Sequence, residues 1–294
     1  MTQQITVLSG KGGTGKTSIT AVLAQLADEA ILCDVDVDAA NLHLILKPST
    51  THSEDFISGK IAIKDDSKCI DCGKCLEVCR FNAVTPDYSI IERSCEGCGA
   101  CAWVCPEKAI TMVPQHAGML YKSTTRYGPM FHARLDIGGE NSGKLVTAVI
   151  QRAHEKASEL KKDLVIVDGS PGIGCPVIAA LTNATLVLLV VEPTTTAIHD
   201  MKRTIELAAH FKLPVSIMVN KSTINEEQLE TIISFANETP NVDVVGKISY
   251  DLRAYKALTY GQTLLEADIP EFKQPLQELW DNLRIKLQKL NTKK

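Results

Sequence analysis

Five short apolar runs punctuate this 294-residue chain, at residues 5–8, 30–34, 164–168, 186–191 and 214–219. Runs this short, apolar at nearly every position, read as strands buried on both faces. Between them, residues 18–27, 145–160 and 197–211 place apolar side chains at three- and four-residue spacing, the pattern of helices with one buried stripe. Strand alternating with helix predicts an α/β fold, a mainly parallel sheet covered by helices on both faces. Near the end, Leu276, Leu279, Trp280, Leu283, Leu287 and Leu290 repeat at helical spacing, with Arg284, Lys286 and Lys289 opposite or flanking. A closing helix packed on the core is the expected use of that pattern; its moderately basic polar face makes membrane attachment the alternative. Two stretches interrupt the alternation. Residues 48–60, rich in Ser, Thr and Gly, read as a linker, and residues 117–137 as a hairpin or paired strands.

Composition changes abruptly after that linker. Cys69-x-x-Cys72-x-x-Cys75-x-x-x-Cys79 is followed by Cys95-x-x-Cys98-x-x-Cys101-x-x-x-Cys105-Pro106. This is the spacing of a bacterial two-cluster ferredoxin, in which three thiolates on a tight loop grip three corners of a cubane and the other repeat supplies the fourth. Cys69, Cys72, Cys75 and Cys105 are therefore assigned to one [4Fe–4S] cluster, and Cys95, Cys98, Cys101 and Cys79 to a second. Paired C-x-x-C also binds zinc, but zinc sites rarely use four cysteines at this spacing twice over. Arg80 stands where proline commonly follows the fourth cysteine, which removes no ligand. Gly73, Gly97 and Gly99 let backbone N–H groups turn toward sulfur, one way to tune a cluster's potential. Residues 61–113 thus read as an inserted α+β ferredoxin-like domain, interrupting a larger domain made of residues 1–60 and 114–294.

Directly after the first apolar run comes Gly10-Lys11-Gly12-Gly13-Thr14-Gly15-Lys16-Thr17, and Ser18 opens the first helical pattern. This is the phosphate-loop template G-x-x-x-x-G-K-[ST] in its required strand–loop–helix setting. Its glycines turn backbone N–H groups around phosphate oxygens, and the helix N-terminus adds partial positive charge. In that chemistry Lys16 reaches the β- and γ-phosphates and the Thr17 hydroxyl holds Mg²⁺. Asp168 ends an apolar strand, where a carboxylate holding the metal through water belongs. The loop from Gly138 to Lys144 also fits G-x-x-x-x-G-K, but Leu145 follows and cannot ligate Mg²⁺. It reads as a glycine-rich loop capping a helix.

The form Lys-Gly-Gly-Thr-Gly-Lys-Thr, with Lys11 directly after the first glycine, resembles the deviant Walker A loop of the MinD/ParA ATPases and the nitrogenase iron protein. Three further stretches carry the resemblance. Asp34-Val35-Asp36 resembles the family's switch I, Gly169-Ser170-Pro171-Gly172-Ile173-Gly174-Cys175-Pro176 its switch II, and Asn220-Lys221 the segment after a late strand that meets adenine. The resemblance covers residues 1–60 and about 140–265 and implies a P-loop NTPase fold. It further implies that Lys11 crosses a dimer interface to the other subunit's nucleotide, that Asp36 orients the attacking water, and that Asp34 supports the metal and its waters. Asp38 is a weaker candidate because the family varies there. Asn220 is implied to hydrogen-bond the adenine ring. Residues 246–251 resemble the family's Ile-Pro-x-Asp segment, with Ser249 in place of proline. Cys175 has the same spacing from Asp168 as the cysteine that binds a bridging cluster in the nitrogenase iron protein, although the burial tendency of cysteine favours a structural role for it.

Bulk properties narrow the picture only slightly. A net charge of −4 without a long basic run gives no nucleic-acid footprint. No apolar run approaches the ~20 residues that span a bilayer, and the chain enters a strand too early for a signal peptide. A reducing cytoplasm is the expected compartment for its ten cysteines. The cofactors expected are ATP, Mg²⁺ and two [4Fe–4S] clusters; the partners, a second copy of the chain in a nucleotide-dependent homodimer and a redox or iron–sulfur protein. The reading that follows is an ATPase whose nucleotide state gates electron transfer or docking through the clusters. The alternatives are an iron–sulfur carrier or scaffold, and a MinD/ParA-like spatial regulator.

Overall fold

The computed structural model describes residues 2–37, 39–136 and 142–292. Its strands are β1 (Gln3–Leu8), β2 (Ile31–Asp34), β3 (Ser49–Lys64), β4 (Ile110–Thr125), β5 (Gly128–Leu135), β6 (Leu164–Asp168), β7 (Leu186–Val191), β8 (Val215–Val219) and β9 (Val242–Lys247). They form one sheet in the order β3-β4-β5-β2-β6-β1-β7-β8-β9. Every pair from β5 through β9 in that order is parallel. The register sets Val7 of β1 and Asp34 of β2 level with Asp168 of β6. The chain therefore leaves three neighbouring strands at one edge, where helix N-termini and carboxylates gather.

The helices are α1 (Lys16–Leu26), α2 (Leu42–Leu46), α3 (Lys74–Val78), α4 (Ala100–Val104), α5 (Ser142–Leu160), α6 (Cys175–Leu181), α7 (Thr195–His210), α8 (Glu226–Glu238), α9 (Leu252–Thr259) and α10 (Pro270–Asn291). β7 shows why both sheet faces need cover. Leu186, Leu188 and Val190 belong to one apolar cluster with α1, α2 and α10. Val187, Leu189 and Val191 belong to another with α6, α7 and α8. Successive side chains of a strand point to opposite faces, so an all-apolar strand requires helices on both. α10 buries Phe272, Leu276, Leu279, Trp280, Leu283 and Leu287, which makes it the core-packing closing helix. Among the described residues no helix is long and apolar enough to cross a membrane.

Residues 48–60 are not a linker. Ser49–Lys64 forms β3, a sheet-edge neighbour of β4 that is mostly exposed along its length. Ladder pairing holds it rather than apolar burial; Thr51 Oγ1 also donates to Lys122 O at 3.0 Å. Thr50 and Thr51 are β-branched and suit a pleated edge, a preference that loop-like composition conceals. The hairpin expected over 117–137 is β4 and β5, joined at Arg126 and Tyr127, with β4 starting earlier at Ile110. Asp38 and residues 138–141 of the second glycine-rich loop lie outside the described residues; Gly143 and Lys144 are in α5.

The chain divides into two compact units. The larger comprises residues through Glu54, Leu120–Arg134 and residues from Ser142 onward. The smaller takes Asp55–Met119 with Leu135 and Asp136, wider at both ends than the predicted 61–113. Its core is small: Ala62, Cys75, Val84 and Ile110, with Cys79, Cys95, Cys101 and Met112 packed against them.

Candidate functional site

The phosphate loop is a backbone device before it is a side-chain one. Gly15, the N-cap of α1, has φ +92°. A Cβ there would stand 2.2 Å from Asn220 Nδ2, so both the dihedral and the space demand glycine. Asn220 Nδ2 donates to Thr14 O at 2.7 Å and its Oδ1 accepts from Lys221 N at 2.9 Å. Within the loop, Thr14 Oγ1 is buried and has no hydrogen-bond partner among the described residues. An orphaned buried hydroxyl among inward-turned glycines fits a site shaped for an oxyanion.

Charge converges at the strand ends. Lys16 Nζ lies 2.9 Å from Asp168 and 3.8 Å from Asp36. Thr17 Oγ1 and Thr20 Oγ1 donate to the two Asp168 oxygens at 2.8 and 2.7 Å. Asp34 accepts from the Asp36 and Leu42 backbone N–H groups at 3.2 and 3.1 Å. Burial works against charge on Lys16, but Asp168, Asp36 and Asp34 hold its ammonium above the ordinary range. Burial and the Asp168 carboxylate push Asp34 up to about 7, against the pull of Lys16 and the two N–H bonds. A hydroxyl beside two buried carboxylates is a suitable cradle for Mg²⁺, which keeps several waters and takes few protein ligands.

These groups open on a cavity of about 800 Å³. Gly12, Gly13, Lys16, Thr17, Ser18 and Asp36 line it, as do Leu44, Ile45, Tyr255 and Leu258. Gly10 packs behind the loop, where a Cβ would stand 2.3 Å from Asp200 Cβ. Lys11 turns elsewhere. Its ammonium pairs with Glu192 at 2.7 Å and reaches Thr196 Oγ1 at 3.2 Å. Glu192 also pairs with Lys221 at 2.9 Å, and Lys221 donates to Gly13 O at 3.1 Å. Burial opposes ionisation of Glu192, but the two lysines hold its carboxyl below the usual range. Glu192, Tyr255 and Leu258 were not legible as site residues; only the position of Glu192 at the end of an apolar strand hinted at it. Asp251 caps α9, accepting from Arg253 N at 2.7 Å.

The CobQ/CobB/MinD/ParA nucleotide binding domain model matches residues 5–264. The chain belongs to that family. An uncharacterized protein of Methanocaldococcus jannaschii is 38% identical over 226 residues, covering 76% of this chain and 79% of its own. Among solved structures, the septum site-determining protein MinD of Pyrococcus horikoshii OT3, complexed with Mg-ADP, superposes with a TM-score of 0.57 at 16% identity, covering 96% of both chains. Apo McdA of Cyanothece gives a TM-score of 0.58 at 17% identity, over 96% of this chain and 100% of its own. The fold of this family member is accordingly the α/β P-loop NTPase fold, and its phosphate loop belongs to a nucleotide-binding domain.

The smaller unit holds eight of the ten cysteines, and they sort into two cavities. Cys69, Cys72, Cys75 and Cys105 line one. Cys79, Cys95, Cys98 and Cys101 line the other. The two repeats match in detail. Gly73 and Gly99, both left-handed, cap α3 and α4. Ala83 N donates to Cys79 Sγ at 3.4 Å, and Ala109 N to Cys105 Sγ at 3.3 Å. Ala62 N points at Cys95 Sγ from 3.5 Å. Gly97 is forced, since a Cβ there would stand 2.2 Å from Lys60 O. Burial pushes the Cys75 and Cys101 thiols up. Among the described residues no three His, Cys, Asp or Glu side chains converge as a single metal ion requires. Cys33 is buried, and burial drives its thiol far above the usual range. Cys175 is exposed at the start of α6, so the expected buried structural role does not hold.

Proposed function

We propose that this chain is an ATP-hydrolysing member of its family that carries two [4Fe–4S] clusters, its nucleotide state gating electron transfer or partner docking. The observation that carries the reading is the division of the eight thiols. Each cavity takes three cysteines from one repeat and one from the other, the crossed arrangement of two-cluster ferredoxins. The donor set fits: four thiols lining each cavity, backbone N–H groups aimed at sulfur, and left-handed glycines that permit the bend. When bound, such clusters carry single electrons. A zinc ion wants four ligands about 2.3 Å from one point, and among the described residues no group of side chains converges in that way.

On this reading Lys16 binds the β- and γ-phosphates, Thr17 ligates Mg²⁺, and Asp168 holds the metal through water with Asp34 beside it. Asp36, 3.8 Å from Lys16 Nζ, orients the attacking water. Lys11 serves a second copy of the chain, in a nucleotide-dependent homodimer. Anaerobic purification tests the clusters: about eight iron and eight sulfide per chain are expected, as two cubanes require. Zinc in place of iron, or a single cluster, overturns the assignment.

The printed name of the Pyrococcus horikoshii protein favours a second reading, an ATP-driven spatial regulator with the clusters as structure or sensor. A redox titration with ADP and with a non-hydrolysable ATP analogue separates the two. Gating predicts a cluster potential, or a partner affinity, that differs between nucleotides. Identical values in both states leave the spatial regulator.

A further inference from the structure

We infer that Thr20, just beyond the phosphate loop, is a positioning residue: a reserve donor that holds Asp168 Oδ1 when Lys16 leaves it for the phosphates. The inference rests on the nucleotide reading of the phosphate loop and deepens it.

The phosphate-loop template ends at Thr17, and nothing in it asks for a hydroxyl three residues later. From Ile19 to Ala24 the other buried residues of α1 are apolar, so a hydroxyl among them needs a partner. Thr20 is fully buried. A threonine inside a helix has a ready acceptor one turn back, the carbonyl of residue i−4. Thr20 has that acceptor, Lys16 O at 3.1 Å. It also has a stronger one, a carboxylate oxygen, since its Oγ1 lies 2.7 Å from Asp168 Oδ1 on β6. The hydroxyl carries one proton for these two acceptors, so it can serve the carbonyl and still stand ready for the carboxylate.

Asp168 is fully buried, and its two oxygens are served differently. Oδ2 accepts from Thr17 at 2.8 Å. Oδ1 accepts from Thr20 and also faces Lys16 Nζ at 2.9 Å. With the lysine in place Oδ1 has a second donor, and the Thr20 hydroxyl adds little. Phosphate changes the count. On the proposed reading Lys16 binds the β- and γ-phosphates, and an ammonium drawn to them gives up Asp168. Thr20 is then the remaining donor on Oδ1 among the residues described around it. A buried carboxylate oxygen left without a donor is costly, so a hydroxyl already 2.7 Å away lowers the cost of moving the lysine. Thr17 and Thr20 stand three residues apart on α1, hence on one face of the helix. Holding one oxygen each, they fix the plane of the carboxylate, as the support of a metal's water requires.

A hydrogen bond to a charged group is worth ~1.5–3 kcal/mol, which converts to roughly 10- to 150-fold in affinity. The test compares the full chain with Thr20→Val, which keeps the branched shape and removes the hydroxyl, and with Thr20→Ser, which keeps the hydroxyl. Each is measured twice: its melting temperature without ligand, and its binding of ATP and of inorganic tripolyphosphate, both with Mg²⁺. Thr20→Val is expected to melt close to wild type, because Lys16 still covers Oδ1, and to bind both ligands roughly 10- to 150-fold more weakly. Thr20→Ser is expected to retain both affinities. Undiminished binding by Thr20→Val overturns the inference. So does a Thr20→Val chain that fails to fold or melts far below wild type, since its hydroxyl then serves the empty protein. A loss confined to ATP overturns it too, because Lys16 goes to phosphates in both ligands. Thr20→Ser binding as weakly as Thr20→Val assigns the effect to packing and overturns it as well. Should wild type bind neither ligand, the nucleotide reading itself falls and takes the inference with it.

Discussion

Arg126 gives the sharpest test of how the fold holds the nucleotide cavity open. α2 is only five residues long, Leu42–Leu46, too short to persist on its own propensity. Arg126 covers its last turn by donating to Ile45 O and Leu46 O, and its Nε and NH2 grip both Glu266 oxygens at 2.7 Å. Arg126→Met keeps much of the apolar stem and removes the fork. Each backbone carbonyl bond is worth ~1 kcal/mol. The ion pair, with side chains 33% and 27% exposed, deserves the surface value of ~1 kcal/mol rather than a buried one. Local opening of α2 should therefore become about 3 kcal/mol easier, roughly a 100-fold rise in hydrogen exchange. The amide to watch is Lys47 N, bonded to His43 O at 3.0 Å. Exchange is the right assay because a chain of two compact units need not unfold in one step. Acid supplies an internal control. Burial opposes ionisation of Glu266, but Arg126, Tyr127 and Thr263 N hold it down to about 2, below its ordinary 4.5. A depressed carboxylate adds stability above pH 4.5 that is lost as pH falls toward 2. The gap between wild type and Arg126→Met should narrow over that window. Exchange within threefold of wild type, or a gap that ignores pH, refutes the role given to Arg126.

Three further outcomes follow from the site. Lys11→Ala should bind ATP normally, since its ammonium sits on Glu192 at 2.7 Å rather than lining the cavity, yet lose at least ~100-fold in turnover by losing charge stabilisation; unchanged turnover and ATP-induced dimerisation would remove the in-trans reading. Asp36→Ala should trap ATP, with hydrolysis down ~100-fold or more and affinity nearly unchanged, as single-turnover kinetics and equilibrium binding will show; lost affinity instead makes Asp36 a metal support. Burial, with His43 adding to it, pushes His132 down to about 4 from 6.5. Its neutral form gives stability that is present above pH 6.5 and lost as pH falls through 4, so the melting temperature of His132→Gln should drop less than that of wild type between pH 7 and 5.

What the sequence reveals of this molecule follows from how local each cause is. The buried strands are legible because both faces of β7 must be apolar, and that need is written in consecutive residues. The phosphate loop and the cysteine repeats are legible for the same reason: eight residues, or two short spacings, contain the chemistry. β3 was missed because its cause is a neighbour, the ladder to β4, and its Ser and Thr residues look like loop. Tyr255 is not legible because its helix is brought to α2 by contacts such as that of Lys47 with Tyr260 O, more than two hundred residues apart along the chain. Lys11 shows where the two kinds of cause meet. The family resemblance of the loop implies a reach toward a partner's nucleotide, while the fold brings Glu192 from β7's end and gives Lys11 a partner at home. Both hold together only if Lys11 changes partner. The Lys11–Glu192 pair, with side chains 33% and 12% exposed, is worth ~1 kcal/mol, small enough for the phosphate charge of a partner's nucleotide to displace if the proposed homodimer forms. On such an exchange Lys221, 2.9 Å from Glu192, would keep this buried carboxylate from being left unpaired while it also donates to Gly13 O of the phosphate loop.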